Sequence, residues 1–574
     1  MTNPFFHTEL ELLQGLASEF ALANPALAPM LDGSNRTDPD VERLLEAMAF
    51  QNAMLRRKLA TDFPELVNKL AQLILPHYLR PIPATTIIGF SPLAGGGQSA
   101  TIPAGTQLAS APVDGTACCF RTCADVELHP LEITYATCAQ ESGRGGEIRL
   151  SLLLHGQPLS GWQPGKLRLF LAGEHAVACE LYLLLSRHVT RITLTPVEGG
   201  AACVLPANCL RPAGFADDEE LLPYPPHAFP GYRLLQEYFS APEKFLFFDL
   251  SGWEQWQQRG AGTQFTISIE LDSLPSGPPR IRRDSFALHA VPAVNLFSHH
   301  ADPISVNHRA DSYLVRPSGT NPAHSQIFSV DRVTGYSRAT SRARDYLPFE
   351  LFSAGSNSEP AYHAQLSQSQ LHSGHEVHLA LAFPREIPPN EAETLSITLT
   401  CSNGRLPESL RIGDITQPLS ALPASVSGRN ITPINPGQPP PLGQGLLRQL
   451  TAHLYLNHLS LERIEHLRTL LELYVFPESR SAANLKRIAG IQALEVTAGE
   501  QLVAGIPLRG REIRVLVRQD HFAGAGDLYL FGCILDQFLG RYASINSYTR
   551  LEFYETLRGG TCQWPTRLGS QALR

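Results

Sequence analysis

Gly231-Tyr-Arg-Leu-Leu-Gln-Glu-Tyr-Phe-Ser-Ala-Pro-Glu243, continued by Lys244-Phe-Leu-Phe-Phe248, is the stretch on which the reading of this 574-residue chain turns. Tyr232, Leu235 and Phe239 recur at helical spacing, as do Leu234 and Tyr238, and Phe245, Phe247 and Phe248 follow as a strand. The run mixes aromatic, apolar and charged residues and carries no nucleophile constellation or metal-ligand spacing. It reads either as a helix-to-strand packing unit at a domain junction or as a surface that clamps another subunit. Tyr and Arg are enriched at such surfaces. The candidate residues are Tyr232, Arg233, Leu235, Gln236, Glu237, Tyr238 and Phe239.

Towards the N-terminus the pattern is helical. Phe6, Leu10, Leu13, Ala17 and Phe20 form one stripe. Asp38-Pro39 starts a second helix with a capping side chain and a proline suited to the first turn. Its inner face carries Val41, Leu44, Leu45, Met48, Leu55 and Leu59, and a third helix ends at Pro76 before the stiff Arg80-Pro-Ile-Pro83 connector. Around the central run, Thr85–Phe90, Glu147–Leu154, Lys166–Leu171, Ala178–Leu185, Arg191–Pro196 and Gln264–Leu271 read as strands between Gly/Pro turns. Ser312–Val315, Gln326–Val333, Glu376–Ala382 and Glu393–Thr400 make a second β-rich set, with Gly355–Ser373 as an exposed polar loop. Asn430–Gly445 is too rich in Pro and Gly for regular structure and reads as a linker. Beyond it lie a short strand at Glu512–Val517 and an amphipathic helix on Leu528, Phe531, Leu535, Phe538, Leu539 and Tyr542.

The expected fold is therefore α+β and multidomain, and elongated. A helical region covers 1–83, and two sandwich- or barrel-like β modules cover 84–285 and 286–429. A linker follows at 430–445, then an α/β region at 446–574. Lys plus Arg number 46 against 54 Asp plus Glu, a net charge of −8, so no basic surplus points to nucleic acid. No leader pattern and no apolar run of about 18 residues is present, so a cytoplasmic chain without a membrane span is expected.

Chemistry-bearing motifs are absent: there is no phosphate loop, nucleophile elbow or His-Glu-x-x-His. His299, His300, Asp302 and His308 have ligand chemistry but no standard spacing and are expected in a loop. Cys118, Cys119, Cys123 and Cys138 lack paired Cys-x2-Cys spacing and are expected as reduced thiols. Asp217-Asp-Glu-Glu220 is an acidic run whose expected role is a solvated face or a helix start. A carbohydrate-active β-rich enzyme using Asp217 or Glu219, or a glycan-binding protein, is the alternative. It needs two carboxylates held ~5–10 Å apart across a cleft. No cofactor and no metal are expected.

Several separated blocks resemble one family. They are Asp38–Glu46 with Phe63-Pro-Glu65 and Pro76–Pro83; Gly214-Phe215 with Gly231–Phe248; Val294-Asn-Leu-Phe297 with Asp302-Pro-Ile304; Cys401–Pro407; Leu456–Leu461; and Phe531-Gly532 through Ser544–Leu551. In order and over nearly the whole chain, they are similar to the TssF (ImpG/VasA) baseplate subunits of bacterial type VI secretion systems. Arg448 and Gly404 depart from the family's pattern. The resemblance implies a structural, non-enzymatic wedge subunit that assembles with TssG, TssK and a second TssF copy. It implies further contacts to TssE, the VgrG hub and the tube and sheath proteins, and indirect docking on the inner-membrane complex. It adds Asn295, Phe297, Asn457, Phe531, Phe538 and Asn546 to the candidate packing or interface residues.

Overall fold

A computed structural model of the chain describes residues 10–14, 16–17, 43–44, 46–54, 72, 75–92, 99–140, 145–225, 228–275, 277–307, 310–337, 343–349, 360–369, 374–383, 393–423, 425–442, 463–476, 481–503 and 505–569. The chain divides into two compact units, Met1–Leu75 with Pro441–Leu450, and Pro76–Pro440 with Thr451–Arg574. In the first unit, residues 10–14, 16–17, 43–44 and 46–54 are helical. Ala49 and Ala53 are buried there, whereas Leu44 and Met48, expected on an inner face, are exposed.

The second unit is β-rich. Its six-stranded sheet runs Ile415–Pro418, Gln107–Ser110, Cys119–Thr122, Ala290–Val294, Thr85–Pro92, Val426–Asn430. Thr85–Phe90 is buried at every position, as a central strand covered on both faces should be. Ile88 faces Val291 on one side and Asn430 on the other. This sheet crosses the boundaries expected at 285 and 429, because its strands come from segments hundreds of residues apart. The expected linker is drawn in as well. Asn435 and Thr85 exchange backbone hydrogen bonds, as do Gln438 and Ile82.

A five-stranded sheet (Cys203–Pro206, Val189–Pro196, Gln264–Leu271, Gly146–Leu154, Leu131–Gln140) and a four-stranded one (Leu210–Ala213, Phe247–Leu250, Leu167–Leu171, Phe286–Leu288) stand beside it in sequence. Another sheet is organised by Glu393–Ser402. Its Leu395, Ile397, Leu399 and Cys401 alternate inward against Val333, Val377 and Leu379. Ala361–Gln368 belongs to this sheet, with Ala361 and Tyr362 buried. The stretch expected as an exposed polar loop therefore contains a strand, because polar outward positions mask its short apolar side.

The helices used below are α1 (His175–Arg187), α2 (Gly231–Ser240), α3 (Ile464–Leu473), α4 (Ser481–Ala489) and α5 (Ala525–Tyr542). α1 corrects the strand expected at Ala178–Leu185. A continuous apolar run is ambiguous in period, and here burial falls on Ala178, Cys179, Leu181, Tyr182, Leu184 and Leu185, a helical pattern. Phe245 lies in a 3-10 turn (Pro242–Phe245) rather than the strand, which begins at Phe247. The expected Glu512–Val517 strand is the covered end of a longer arm, Ile506–Val517. That arm pairs with Ile491–Val503 and lies parallel to Ser547–Glu555. α5 makes the crossover between the two parallel strands, as such pairing requires.

Asn295 and Asn403 fasten the sheets. Asn295 Nδ2 donates to Asn403 Oδ1 and to the Cys119 carbonyl, both at 2.8 Å, and the Asn403 amide donates to Asn295 Oδ1 at 2.7 Å. The Cys119 amide donates to Asn403 Oδ1 at 3.0 Å. Both asparagines are buried. Asn403→Ala strands the Cys119 amide and one Asn295 donor, at about 1–3 kcal/mol each. The denaturant midpoint should fall accordingly, and an unchanged midpoint would show the clamp to be immaterial.

Candidate functional site

The central run folds as α2, and α2 is buried on all sides. Tyr232, Arg233, Leu234, Leu235, Gln236, Glu237, Tyr238 and Phe239 are each 8% exposed or less. A helix carrying Arg and Glu can be buried only if those charges are paired, and Glu237 and Arg233 both have partners. Glu237 Oε1 accepts from the amides of Leu221 (2.8 Å) and Leu222 (3.2 Å), and its other oxygen takes the Lys244 ammonium in a short contact. Neither side chain of the pair reaches water. Burial pulls the Lys244 ammonium below its usual range, against the opposite pull of Glu237. Arg233 reaches Asp217 Oδ1 (3.1 Å) and Glu220 Oε2 (3.2 Å).

The acidic run is largely exposed, as a solvated face should be, and its carboxylates also reach basic side chains of the fold. Arg541 on α5 also binds Asp217 Oδ1, at 2.9 Å. Arg168 pairs with Glu219 and holds Asp249 through two bonds of 2.6 and 2.7 Å. Asp217, Glu219 and Glu220 fold the turn before α2 back onto neighbouring strands and helices. Gly214 makes that turn possible: φ is +95° and a Cβ there would meet the Lys244 carbonyl at 2.5 Å. Asp217 and Glu219 are committed to guanidinium groups, so they do not form the free acid pair that glycoside hydrolysis needs.

Tyr232 is the centre of a ring cluster. His77 stacks on it at 5.5 Å, Tyr474 at 5.7 Å, and Phe229 meets it edge-on at 5.1 Å. Phe538 lies 5.9 Å from Tyr232, and Phe531 lies 5.9 Å from Tyr238. His77 Nε2 and the Tyr474 hydroxyl share a 3.0 Å hydrogen bond, and the Tyr78 hydroxyl donates to the Leu473 carbonyl at 3.0 Å. Phe531 and Phe538, far from the run in sequence, therefore join the run through α5. Of the other candidates, Asn295 belongs to the asparagine clamp, and Phe297 is half-buried at the edge of the Glu393–Ser402 sheet. Asn546 is an exposed turn residue with φ +66° before the Ser547–Glu555 strand. Asn457 lies outside the described residues. Asn403, Arg168 and Arg541 were not singled out as site residues. Only their partners' burial reveals them, because a lone Arg or Asn carries no periodic signal.

His299 and His300 are adjacent on one strand and so face opposite sides. His299 Nε2 contacts the Ser318 carbonyl at 2.8 Å, and His308 lies outside the described residues. Among the described residues, these groups do not gather as a metal cluster. Cys118, Cys119, Cys123 and Cys138 are free thiols, and burial pushes Cys118 up to about 11 and Cys123 up to about 12. A cavity of about 240 Å³ is lined by residues including Leu494, Val496, Ile513, Leu539, Tyr542 and Tyr548, with no carboxylate, imidazole or thiol among its lining. A second, of about 480 Å³, contains His375 and Glu376. His375 contacts the Ile327 carbonyl (2.7 Å), and Glu376 accepts from Ser369 (2.8 Å).

Lys244→Ala should destabilise the chain by about 3–5 kcal/mol, because it leaves Glu237 buried and alone. The double change Glu237→Leu with Lys244→Met should recover most of that loss. Equilibrium unfolding of the three proteins checks it, and a single variant as stable as the parent would refute the pairing. A second test is acid–base. Burial pushes the Asp536 carboxyl up to about 6, against the downward pull of its Arg567 partner. The folded state then holds more protons than the unfolded one between about pH 4 and 6, so this group makes stability fall as pH rises through that window. Relative to Asp536→Asn, the parent should lose on the order of 2–3 kcal/mol across it. Parallel stability–pH curves would contradict this.

The sequence matches the family model for type VI secretion system TssF over residues 2–571. The TssF1 component of the type VI secretion system of Pseudomonas aeruginosa is 28% identical, over 99% of this chain and 98% of its own length. Among solved structures, the chain is similar to one in a type VI secretion system TssK-TssF-TssG baseplate subcomplex. That match has 30% identity and a TM-score of 0.78, covering 92% of this chain and 98% of that one. It is also similar to a chain of a type VI secretion system baseplate complex, with 26% identity, a TM-score of 0.63 and 99% of both chains covered.

Proposed function

We propose a structural role, from the premise that this chain belongs to the TssF family of the type VI secretion system. It is an assembly subunit of the baseplate that fits against TssK and TssG and catalyses no reaction. A second copy of the chain, TssE, the VgrG hub and the tube and sheath proteins are the further partners of this reading. Its location is the cytoplasm, at the inner face of the inner membrane once assembled. No helix among the described residues is long and apolar enough to cross a membrane.

The observation that carries the reading is where apolar side chains remain uncovered. In the first unit, Leu12 and Leu16 are 51% and 52% exposed, Leu44 and Met48 are 63% and 46%, and Phe50 and Met54 are 55% and 47%. Each is an i, i+4 pair, so each marks one side of a helical segment. Leu44/Met48, Ala49/Ala53 and Phe50/Met54 point in three directions around the axis at about 100° per residue. Among the described residues of this segment, only the alanine side is buried. A segment apolar on three sides is suited to the interior of a bundle, and the missing neighbours are helices of a partner. This supports a helical N-terminal region, described at 10–14, 16–17, 43–44 and 46–54, whose outer faces are assembly surfaces. The charged groups of the second unit point the same way, because Asp217, Glu219 and Glu237 are engaged with basic side chains of the fold itself.

Co-expression with the TssG and TssK of the same system, followed by mass measurement, tests the proposal. The expected product is a defined complex containing all three chains. Leu44→Asp with Met48→Asp should abolish the complex while leaving the β-rich unit's unfolding transition unchanged. A complex that forms normally with the double variant would reject this face as the contact, and a parent chain that remains a solitary monomer beside TssG and TssK would reject the structural role.

A further inference from the structure

α1 and α5 cross in direct contact, and the crossing depends on one residue. A Cβ on Gly526 would lie 2.2 Å from the Cys179 carbonyl carbon, so only glycine lets the two backbones approach this closely. The Gly526 amide donates to Glu180 Oε1 at 2.9 Å and sets the register. At this crossing, His175 and Cys179 project from α1 one turn apart, on the same side of the helix. Asp527, in the first turn of α5, faces them. His175 Nε2 is 3.5 Å from Cys179 Sγ and 3.5 Å from Asp527 Oδ1, and the three donor atoms lie within 4.8 Å of one another.

Direct hydrogen bonding accounts poorly for this arrangement. Asp527 is fully buried, and its Oδ1 meets only the His175 ring, at a long 3.5 Å and without a well-formed hydrogen bond. Its Oδ2, by contrast, is fully used: Arg487 on α4 donates at 2.9 Å and the Ala523 amide at 3.0 Å. These two donors orient the carboxylate so that Oδ1 is presented to the imidazole and the thiol. The Tyr238 hydroxyl, also buried without a partner, lies close enough to feel Asp527, Cys179 and Arg487 electrostatically. A stranded carboxylate oxygen costs about 1–3 kcal/mol or more unless something fills the space it faces.

We propose that His175, Cys179 and Asp527 form a binding site for a zinc-class divalent cation that staples α1 to α5. A tetrahedral zinc bound at ~2.3 Å to sulfur and ~2.0–2.1 Å to nitrogen and oxygen spaces sulfur from nitrogen by about 3.5 Å and nitrogen from oxygen by about 3.4 Å. The two distances at His175 Nε2 match those spacings. One nitrogen, one sulfur and one oxygen donor suit a borderline-soft ion. On binding, the Cys179 S–H bond gives its proton to solvent as the metal–sulfur bond forms, so thiolate and carboxylate together balance the two positive charges. Arg487 and the Ala523 amide are the outer partners that fix the carboxylate. His175 is the solvent-side ligand, its side chain 26% exposed, so a fourth donor would be water from that side.

The test is titration of metal-free, full-length protein with Co²⁺ as a spectroscopic stand-in for zinc. One equivalent should give a thiolate-to-cobalt charge-transfer band, and Zn²⁺ should abolish it by displacement. Cys179→Ser should remove the band, whereas Cys209→Ser, at a buried thiol elsewhere, should keep it. Far-UV circular dichroism reports folding. If Cys179→Ser unfolds, the half-exposed His175→Ala takes its place and should lose stoichiometric binding. Arg487→Lys should weaken binding about 10–100-fold without removing the band. No charge-transfer band in the parent, or a band that survives Cys179→Ser in folded protein, overturns the site.

Discussion

Glu237 and Lys244 meet where water does not reach, and the packing of the second unit depends on that meeting. Separately, each would be too costly to bury. Together, with two backbone amides on the carboxylate, they let α2 lie inside the protein with all its sides covered. Once α2 is interior, its aromatic residues become joints. Tyr232 meets Tyr474 and Phe538, and Tyr238 meets Phe531. Segments far apart in the sequence therefore converge on ten residues of helix. A buried ion pair contributes little net stability compared with an apolar pair of similar volume. What it supplies is a single permitted seating for the helix.

The same economy governs the other charged groups. Two sets of ion pairs hold the turn before α2: Asp217 and Glu220 with Arg233 and Arg541, and Glu219 with Arg168. Such a network consumes charge that a catalytic site would leave available to substrate. The asparagine clamp serves the β sheets in the same way, by tying Cys119, Asn295 and Asn403 together without any charge. Uncovered apolar side chains occur in pairs on the helical segments of the first unit and at scattered positions of the second, such as Val197 and Leu502.

Much of the β framework was legible because strand periodicity survives where one face is buried. Gln264–Leu271 was read with the bounds the structure has, and its alternation of exposed and buried positions explains why. Ala178–Leu185 was misread because an unbroken apolar run has no period to measure, and its length and packing reveal a helix only in three dimensions. The strand at Ala361–Gln368 hid in a polar stretch, since most of its positions are only half-buried. The linker reading at 430–445 followed from Pro and Gly content, yet Asn435 and Gln438 pair along Thr85 and Ile82, because backbone groups need no particular side chain to pair.

Residue order alone carries the β-rich character, the helical spacing of Gly231–Ser240, the amphipathic pattern of α5 and the family to which these blocks are similar. Those are local periodicities and ordered motifs, readable one segment at a time. Only the tertiary structure decided that the central run is interior, that its acids and arginines are mutually engaged, and that His175, Cys179 and Asp527 meet across a helix crossing. Such choices depend on which distant segment lies alongside. Coulomb attraction, ring stacking and ligand spacing act over a few ångströms of space, whatever the separation along the chain.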